Sequence, residues 1–334
     1  MSRLLVVCPG RGSYSRDTLG SLRRSRSVVA ADAFRAALGR PTPTEMDSAK
    51  THSSRLHVAG ENASILTMAA SLADHDALTP GHVVAVIGNS MGWYTALAVA
   101  GALPLPEAFR LVETMGQYQA DNVVGGQLLY PLVDDEWGPL PSPELSAAIL
   151  DISDLYHSIY LGGQVVIGGT GASLAALAQR LPARKLGSRD APMLLPLHSA
   201  FHTPLMAPTS ARAFRDLGDL SFQAPHVPLI DGRGVVFHPG TASASALRDY
   251  TLGHQVMLPY DFTTSLVVAL REFGPDRIVL LGPGGNLGGP VAQAQIREGW
   301  RGYASRSDFV ARQQTNPFVV AMSRPEQRAL VASA

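Results

Sequence analysis

The sequence is poor in cysteine, because Cys8 is the only one among its 334 residues. A single cysteine excludes an internal disulfide bond and is typical of a reducing compartment. Long hydrophobic runs are missing as well. No stretch reaches the roughly 18 apolar residues that a membrane helix needs, and the apolar run at residues 4–7 is too short for a signal peptide. We therefore expect a cytoplasmic protein that does not enter a membrane.

An excess of charge of either sign is also absent, since 27 Lys and Arg residues balance 27 Asp and Glu residues. This balance argues against a nucleic-acid-binding surface and against a polybasic membrane-binding segment. Hydrophobic residues make up 46% of the chain, which is enough for a sizeable core and disfavours global disorder. The composition predicts a folded protein without nucleic acid or membrane among its partners.

The most informative stretch lies between residues 83 and 100. Five apolar, mostly β-branched residues at 83–87 predict a buried strand, and residues 95–100 predict a helix. Between them stands Gly88-Asn89-Ser90-Met91-Gly92, a Gly-x-Ser-x-Gly sequence. In such a strand–turn–helix the serine hydroxyl projects from a sharp turn, and a Cβ at either glycine would clash. We interpret Ser90 as a nucleophile; the alternative is a tight turn with a capping serine.

Three other glycine clusters have to be weighed. The turn at residues 9–13 can bring a backbone N–H close to a reacting centre, although an ordinary loop after a strand is the alternative. Gly169-Thr170-Gly171 lacks the third glycine and the suitably placed acidic residue of a dinucleotide site. The cluster at residues 282–289 lacks the Lys-Ser/Thr ending of a phosphate-binding loop and predicts a turn beside the active site.

The order of predicted elements indicates an α/β fold with two parts. Between residues 125 and 197, strands and helices alternate in the order strand–helix–strand–strand–helix–strand, which predicts a small ferredoxin-like subdomain. It is inserted into a large α/β-hydrolase-like subdomain formed by residues 1–124 and 198–334. We expect residues 40–56 to form a loop and residues 306–334 to be a loosely held tail.

A serine nucleophile needs a base, which is usually histidine. Among ten histidines, His202 stands out because it follows a predicted strand and precedes a helix that begins with proline. His198 is the nearby competitor, and the residues alone favour His202 only slightly. His254, near a polar helix end, is a third candidate with a structural role as the simpler interpretation.

Four separated segments resemble the malonyl-CoA:acyl carrier protein transacylases and the acyltransferase domains of polyketide synthases. They follow the family's order and spacing over most of the chain. The segments are Pro9-Gly10-Arg11-Gly12-Ser13; Gly88-Asn89-Ser90-Met91-Gly92 with Tyr94-Thr95-Ala96-Leu97 and Ala100-Gly101-Ala102-Leu103; Gln164-Val165-Val166-Ile167 with Ala200-Phe201-His202-Thr203-Pro204-Leu205-Met206; and Gly282-Pro283-Gly284.

This resemblance implies a role for each matching position. Ser90 would carry the acyl group and His202 would be its base. The ring of His202 would be oriented by a backbone carbonyl near Gly232, and the oxyanion hole would be the backbone N–H groups of Arg11 and Met91. An α/β-hydrolase is disfavoured, because that class expects an acidic residue and then a late histidine after the serine.

The substrate pocket implied by the resemblance contains Asn89, Met115, Gln164 and Phe201. Met115 stands where the family has an arginine that pairs with the carboxylate of malonyl groups. Burying an unpaired carboxylate beside a thioether would cost about 2–5 kcal/mol. We therefore predict an acyl group without a free carboxylate. The alternative is that Arg11, which replaces the family's glutamine, reaches across to hold a carboxylate.

Three functions remain open. The first is an acyltransferase that moves an acyl group between thioesters of CoA or a carrier protein and an acyl carrier protein, in polyketide or fatty-acid-type biosynthesis. The second is an editing hydrolase that releases acyl groups from carrier proteins, and the third is a non-catalytic carrier-binding protein. We expect no permanently bound cofactor and no metal, with acyl-CoA or acyl-phosphopantetheine as substrate. The carrier is expected to dock on a basic surface that includes Arg271, Arg277, Arg297 and Arg301.

Overall fold

A computed structural model describes residues 2–79 and 82–332 of the chain. Its strands are β1 Arg3–Cys8, β2 His82–Gly88, β3 Gly126–Pro131, β4 Leu155–Leu161, β5 Gln164–Gly169, β6 Arg184–Leu186, β7 Arg189–Ala191, β8 Met193–Leu194, β9 Leu229–Ile230, β10 Val236–Phe237, β11 Tyr260–Asp261, β12 Arg277–Leu280 and β13 Val319–Ala321. Its α-helices are α1 Arg26–Ala37, α2 Pro43–Asp47, α3 Ser54–His57, α4 Gly60–Asp76, α5 Gly92–Val99, α6 Leu105–Asp121, α7 Pro143–Asp151, α8 Gly171–Arg180, α9 Ala207–Leu217, α10 Ala244–Asp249, α11 Gln255–Met257, α12 Phe262–Phe273, α13 Gly288–Arg297, α14 Arg306–Thr315 and α15 Pro325–Arg328.

The larger sheet has the strand order β10-β9-β2-β1-β12-β13 and is parallel except for β10. Its central strand β1 is almost entirely buried, which explains the continuous apolar run of its sequence. Helices α4, α5 and α6 pack on one another, while α12 packs on β2 and against α13. Loops at the carboxyl ends of parallel strands commonly hold the functional site of such a sheet.

The smaller sheet has the order β11-β4-β5-β3-β8. Within it β4 pairs with β5, β5 with β3, and β3 with β8, and all three pairs are antiparallel. Strands β3, β4, β5 and β8 alternate with α7 and α8 in the order expected from the sequence. Side chains of this region form a separate core that includes Leu128, Ile167 and Leu177. One strand, β11, comes from the C-terminal part of the chain and pairs with β4. The boundaries at residues 124 and 198 stay a prediction.

Two segments that were predicted to lack regular structure contain helices or strands. The predicted loop at residues 40–56 contains the short helix α2, whose start has a capping box in which Thr42 and Glu45 bond each other's backbone. The predicted loose tail forms α14 and β13, and β13 pairs with β12 at the edge of the larger sheet. Apolar residues Val319, Val320 and Ala321 are all buried there, so the segment is held by burial and by sheet hydrogen bonds.

None of the helices within residues 2–79 and 82–332 has the length and apolar character needed to cross a membrane.

Candidate active site

The turn after β2 carries Ser90 in a left-handed backbone conformation, with φ of 56°. Gly88 allows β2 and α5 to close on each other, and Gly92 allows the turn to lie against the end of β1. A Cβ on Gly88 would lie 2.4 Å from the carbonyl carbon of Gly92, and a Cβ on Gly92 would lie 2.2 Å from the carbonyl oxygen of Cys8. Side chains cannot occupy these positions without moving the backbone, which confirms the close approach predicted from the sequence.

The structure brings the predicted base to this serine. His202 lies on the loop before a 3₁₀ turn that begins at Pro204, and its Nε2 atom is 2.7 Å from Ser90 Oγ. Its side chain is fully buried, and its backbone N–H donates to the carbonyl of Val256 over 2.8 Å. These two bonds fix both the ring and its backbone.

The second ring nitrogen of His202 is held by Gln255 and not by Gly232, which corrects the sequence prediction. Nδ1 lies 2.5 Å from the carbonyl oxygen of Gln255. The carbonyl of Gly232 instead accepts a hydrogen bond from the N–H of Asp261. Because a carbonyl oxygen only accepts, Nδ1 carries the ring hydrogen and the lone pair of Nε2 faces Ser90 Oγ.

Gln255 fixes the serine as well as the histidine. Its side-chain Nε2 donates to the backbone carbonyl of Ser90 over 3.2 Å, and its Oε1 accepts from the hydroxyl of Tyr94 over 3.0 Å. The sequence prediction missed Gln255, because a backbone carbonyl can come from any residue and leaves no sequence signal.

The pKa of His202 is lowered to about 4, chiefly because burial disfavours the charged ring; the bond to Gln255 opposes this only in part. The imidazole is therefore neutral near pH 7 and able to accept a proton from Ser90.

His198, the competing candidate, does not contact the nucleophile. Its Nδ1 lies 2.8 Å from the carbonyl oxygen of Pro196. Burial and the nearby Arg11 charge lower its pKa to about 3. His198 lines the same cavity as Ser90, but its ring interacts with the backbone of Pro196 and Arg11 and not with Ser90, so geometry favours His202 as the base.

Arg11 and Met91, whose backbone N–H groups are predicted to form the oxyanion hole, lie on the two segments that meet at Ser90. Met91 precedes the first residue of α5. Arg11 follows Gly10, where a Cβ would lie 2.8 Å from the carbonyl oxygen of Asn89 and 3.6 Å from Cβ of Ser90. Within the described part of the chain neither N–H has an acceptor. Two free donors beside the nucleophile can bind a developing oxyanion, and this role stays a prediction.

A cavity of about 680 Å³ opens over Ser90. It lies between the larger sheet, α6 and the smaller sheet. The predicted pocket residues all line it: Asn89, Met115, Gln164 and Phe201. Met115 is buried in its wall. The cavity is large enough for an acyl chain and part of a thioester arm.

Arg11 also lines this cavity, and its side chain is poorly paired. The Nη2 atom donates to the carbonyl of Leu197, whereas Nη1 is buried and has no partner in the described structure. Burial lowers the pKa of Arg11 to about 10, an effect that the Glu61 carboxylate partly offsets. The guanidinium therefore remains charged near pH 7.

The four arginines expected to receive a carrier protein lie elsewhere. Arg277 begins β12, at the opposite end of the sheet from the turn that carries Ser90. Arg271 and Arg297 both pair with Glu298, and Arg301 lies over the ring of Phe318. None of the four lines the cavity, so this surface is not positioned to deliver a substrate to Ser90.

No family sequence model matches the chain. The malonyl CoA-acyl carrier protein transacylase of Salmonella typhimurium is 29% identical over 205 residues, which cover 60% of this chain and 63% of that protein. The polyketide synthase GfsA of Streptomyces halstedii is 30% identical over 227 residues, or 66% of this chain and 3% of that protein. The matches thus span less than two thirds of the length of the curated transacylases.

Solved structures share the fold over nearly the whole chain. The Synechocystis sp. PCC 6803 malonyl-CoA:ACP transacylase has a TM-score of 0.75 at 19% identity, covering 98% of this chain and 100% of that one. MCAT from Mycobacterium tuberculosis has a TM-score of 0.72 at 22% identity, covering 99% and 100%. The resemblance to malonyl-CoA:acyl carrier protein transacylases and polyketide synthases is confirmed in sequence, and the fold is shared.

Proposed function

We propose that this chain is an acyltransferase that passes an acyl group through an ester on Ser90 to the phosphopantetheine thiol of an acyl carrier protein. The observation that carries the proposal is the 2.7 Å contact between Ser90 Oγ and His202 Nε2, with Nδ1 fixed by the carbonyl of Gln255. The sequence likeness to transacylases and polyketide synthases supports a place in fatty-acid-type or polyketide biosynthesis.

In the first half-reaction, Ser90 Oγ attacks the carbonyl carbon of an acyl thioester while its proton moves to His202 Nε2. The carbonyl oxygen becomes an oxyanion that the N–H groups of Arg11 and Met91 stabilise. The C–S bond then breaks, and His202 returns its proton to the departing sulfur. Acyl-Ser90 and a free thiol remain, and His202 is neutral again.

The second half-reaction reverses these steps with a new thiol. His202 takes the thiol proton, the sulfur attacks acyl-Ser90, and the C–O bond breaks with the proton returning to Oγ. CoA or a carrier protein would supply the acyl group, and no permanently bound cofactor takes part. One structural relative is described as a type II polyketide synthase acyl carrier protein in complex with its malonyl-transacylase, which supports a carrier protein as the acceptor.

The fold suits this chemistry. We assign the parallel sheet to an α/β-hydrolase-like part that holds Ser90 and His202, and the antiparallel sheet to a ferredoxin-like insertion that closes one side of the cavity. The alternating order of β3, α7, β4, β5, α8 and β8, and their antiparallel pairing, support the second assignment.

The far end of the acyl group meets two residues of opposite character. Met115 supplies the apolar wall on which the prediction of an uncharged acyl group rests. Arg11 lines the same cavity with a charged side chain, which favours an acyl group that carries a negative charge.

Intact-mass spectrometry of the purified protein tests the proposal. The protein is mixed with a panel of acyl-CoAs and followed through time, first alone and then with a holo carrier protein. We expect a mass increase of one acyl group that is absent in Ser90→Ala, and its transfer to the added carrier. If water removes the acyl group as fast as the carrier does, the protein is a hydrolase. If no acyl donor labels Ser90, the proposal fails.

A further inference from the structure

We propose that Arg11 makes this site selective for acyl groups whose far end carries a carboxylate. The inference rests on the acyltransferase proposed above and concerns the substrate class of the same cavity. It departs from the prediction of an uncharged acyl group. That prediction was based on Met115, which stands where the family has an arginine.

The first observation is the poor pairing of a half-buried cation whose Nη1 atom is shielded from solvent. A guanidinium has five N–H donors, yet within the described residues the Arg11 side chain donates only to the carbonyl of Leu197. Its Nη1 atom is buried without any partner. Buried charges in proteins are normally paired, since an unpaired one loses its hydration without compensation. An anion bound beside Arg11 would supply the missing partner.

The second observation is the position of the guanidinium. A Cβ built on Gly60 would lie 3.0 Å from Arg11 Nη1 and 3.0 Å from Oε1 of Gln119. The side chain thus reaches from the loop beside Ser90 to the place where α4 and α6 meet. A Cβ on Gly116 would lie 2.7 Å from the carbonyl oxygen of Gly60, so the two helices touch there. Arg11 and Met115 therefore belong to neighbouring parts of one cavity wall.

The third observation is the lack of a competing acid. Glu61 is the only carboxylate that raises the pKa of Arg11, and it forms neither a hydrogen bond nor an ion pair with Arg11 in the described structure. Gln119 is neutral, and its Nε2 donates to the carbonyl of Leu197. The apolar wall of Met115 lowers the local dielectric, which strengthens the attraction between a guanidinium and a substrate carboxylate.

The test compares two acyl-CoAs of similar length. Malonyl-CoA ends in a carboxylate, and butyryl-CoA ends in a methyl group. The measured quantity is the ratio of kcat/KM for formation of acyl-Ser90 from the two donors. A ratio is needed because the backbone N–H of Arg11 belongs to the proposed oxyanion hole, so substitutions there can alter the loading of both donors.

We expect the wild-type protein to favour malonyl by about tenfold or more, and Arg11→Gln to lower the ratio by at least about tenfold. Arg24→Gln removes the same charge from an exposed site and should keep the ratio. The double variant Arg11→Gln/Met115→Arg returns a guanidinium to the cavity from α6 and should restore the malonyl preference. Urea denaturation of each variant shows whether it remains folded.

A wild-type ratio of one or less, or an equal ratio in wild type and Arg11→Gln, would overturn the inference. Butyryl loading without malonyl loading would refute the role of Arg11 while leaving the acyltransferase intact. Absence of loading by both donors, and by every other donor of the panel, would instead count against the proposed function.

Discussion

The burial of His202 predicts how acyl-Ser90 formation depends on pH. The free protein must hold a neutral imidazole to accept the serine proton, so kcat/KM follows the neutral fraction of this ring. An exposed histidine has a pKa near 6.5, whereas burial lowers the pKa of His202 to about 4. Unlike an exposed histidine, His202 should therefore remain unprotonated in mildly acidic solution.

The expected difference is large at pH 5.5. With a pKa of about 4, about 97% of the ring is neutral at this pH, whereas about 9% would be neutral with a pKa of 6.5. Loading of Ser90 should thus be nearly unchanged between pH 7.5 and pH 5.5, rather than falling about tenfold. Below pH 4 it should fall by about tenfold per pH unit.

Rapid-quench mixing with intact-mass detection measures this dependence directly. Butyryl-CoA is the suitable donor, because its acyl group has no carboxylate that could titrate in the same range. Circular dichroism at each pH identifies loss of fold. An inflection near pH 6.5 in a protein that is still folded would refute the argument, since it would mean that His202 is solvated or that another group is the base.

The remaining predictions concern single residues and stability. Ser90→Ala should abolish acyl-enzyme formation with little change in melting temperature, and a labelled Ala variant would refute the assignment of the nucleophile. His202→Ala should lower the loading rate by about 10²–10⁴-fold, while a larger loss in His198→Ala would show that the wrong histidine was chosen. Gly92→Ala should cost about 3 kcal/mol of unfolding free energy because its Cβ meets the Cys8 carbonyl, and a urea midpoint equal to the wild type would contradict this. Because the pKa of His202 is lowered, its ring binds a proton below about pH 6.5 in the unfolded chain but only below about pH 4 in the folded chain. His202 alone should therefore lower the stability by about 3 kcal/mol on acidification from above pH 6.5 to pH 4, and the buried ring of His198 adds a loss of the same sign; denaturation curves with unchanged midpoints would disprove this.

The nucleophile turn could be predicted from sequence because its determinants are local. An apolar strand, two glycines and a helix follow one another within a few residues, and the clash at Gly88 is with Gly92 of the same turn, although the clash at Gly92 is with Cys8 at the end of β1. The pairing of Ser90 with His202 joins residues 112 positions apart. It was reached through the family resemblance, since the residues alone hardly distinguished His202 from His198.

Other features depend on contacts that no local pattern encodes. The residue that orients His202 was predicted as Gly232, yet a short helix after the π-helical turn Tyr250–His254 brings the carbonyl of Gln255 to the ring. The strand β13 was missed because three apolar residues are too short a run to be distinguished from a loop. Its place is set by pairing with β12, which only the folded sheet provides.

The two substitutions that bear on substrate choice show the same limit. Compared position by position with the family, Met115 is a lost arginine on α6 and Arg11 is an unrelated gain on the loop after β1. In the folded chain the two lie on one cavity wall, and the guanidinium of Arg11 reaches the junction of α4 and α6 next to Gly116. A carboxylate bound in the cavity interacts with positive charge by distance, whichever element supplies it. The selectivity that we propose for this site therefore depends on where the guanidinium lies and on whether another acid already pairs with it, and the described structure leaves its Nη1 without a partner.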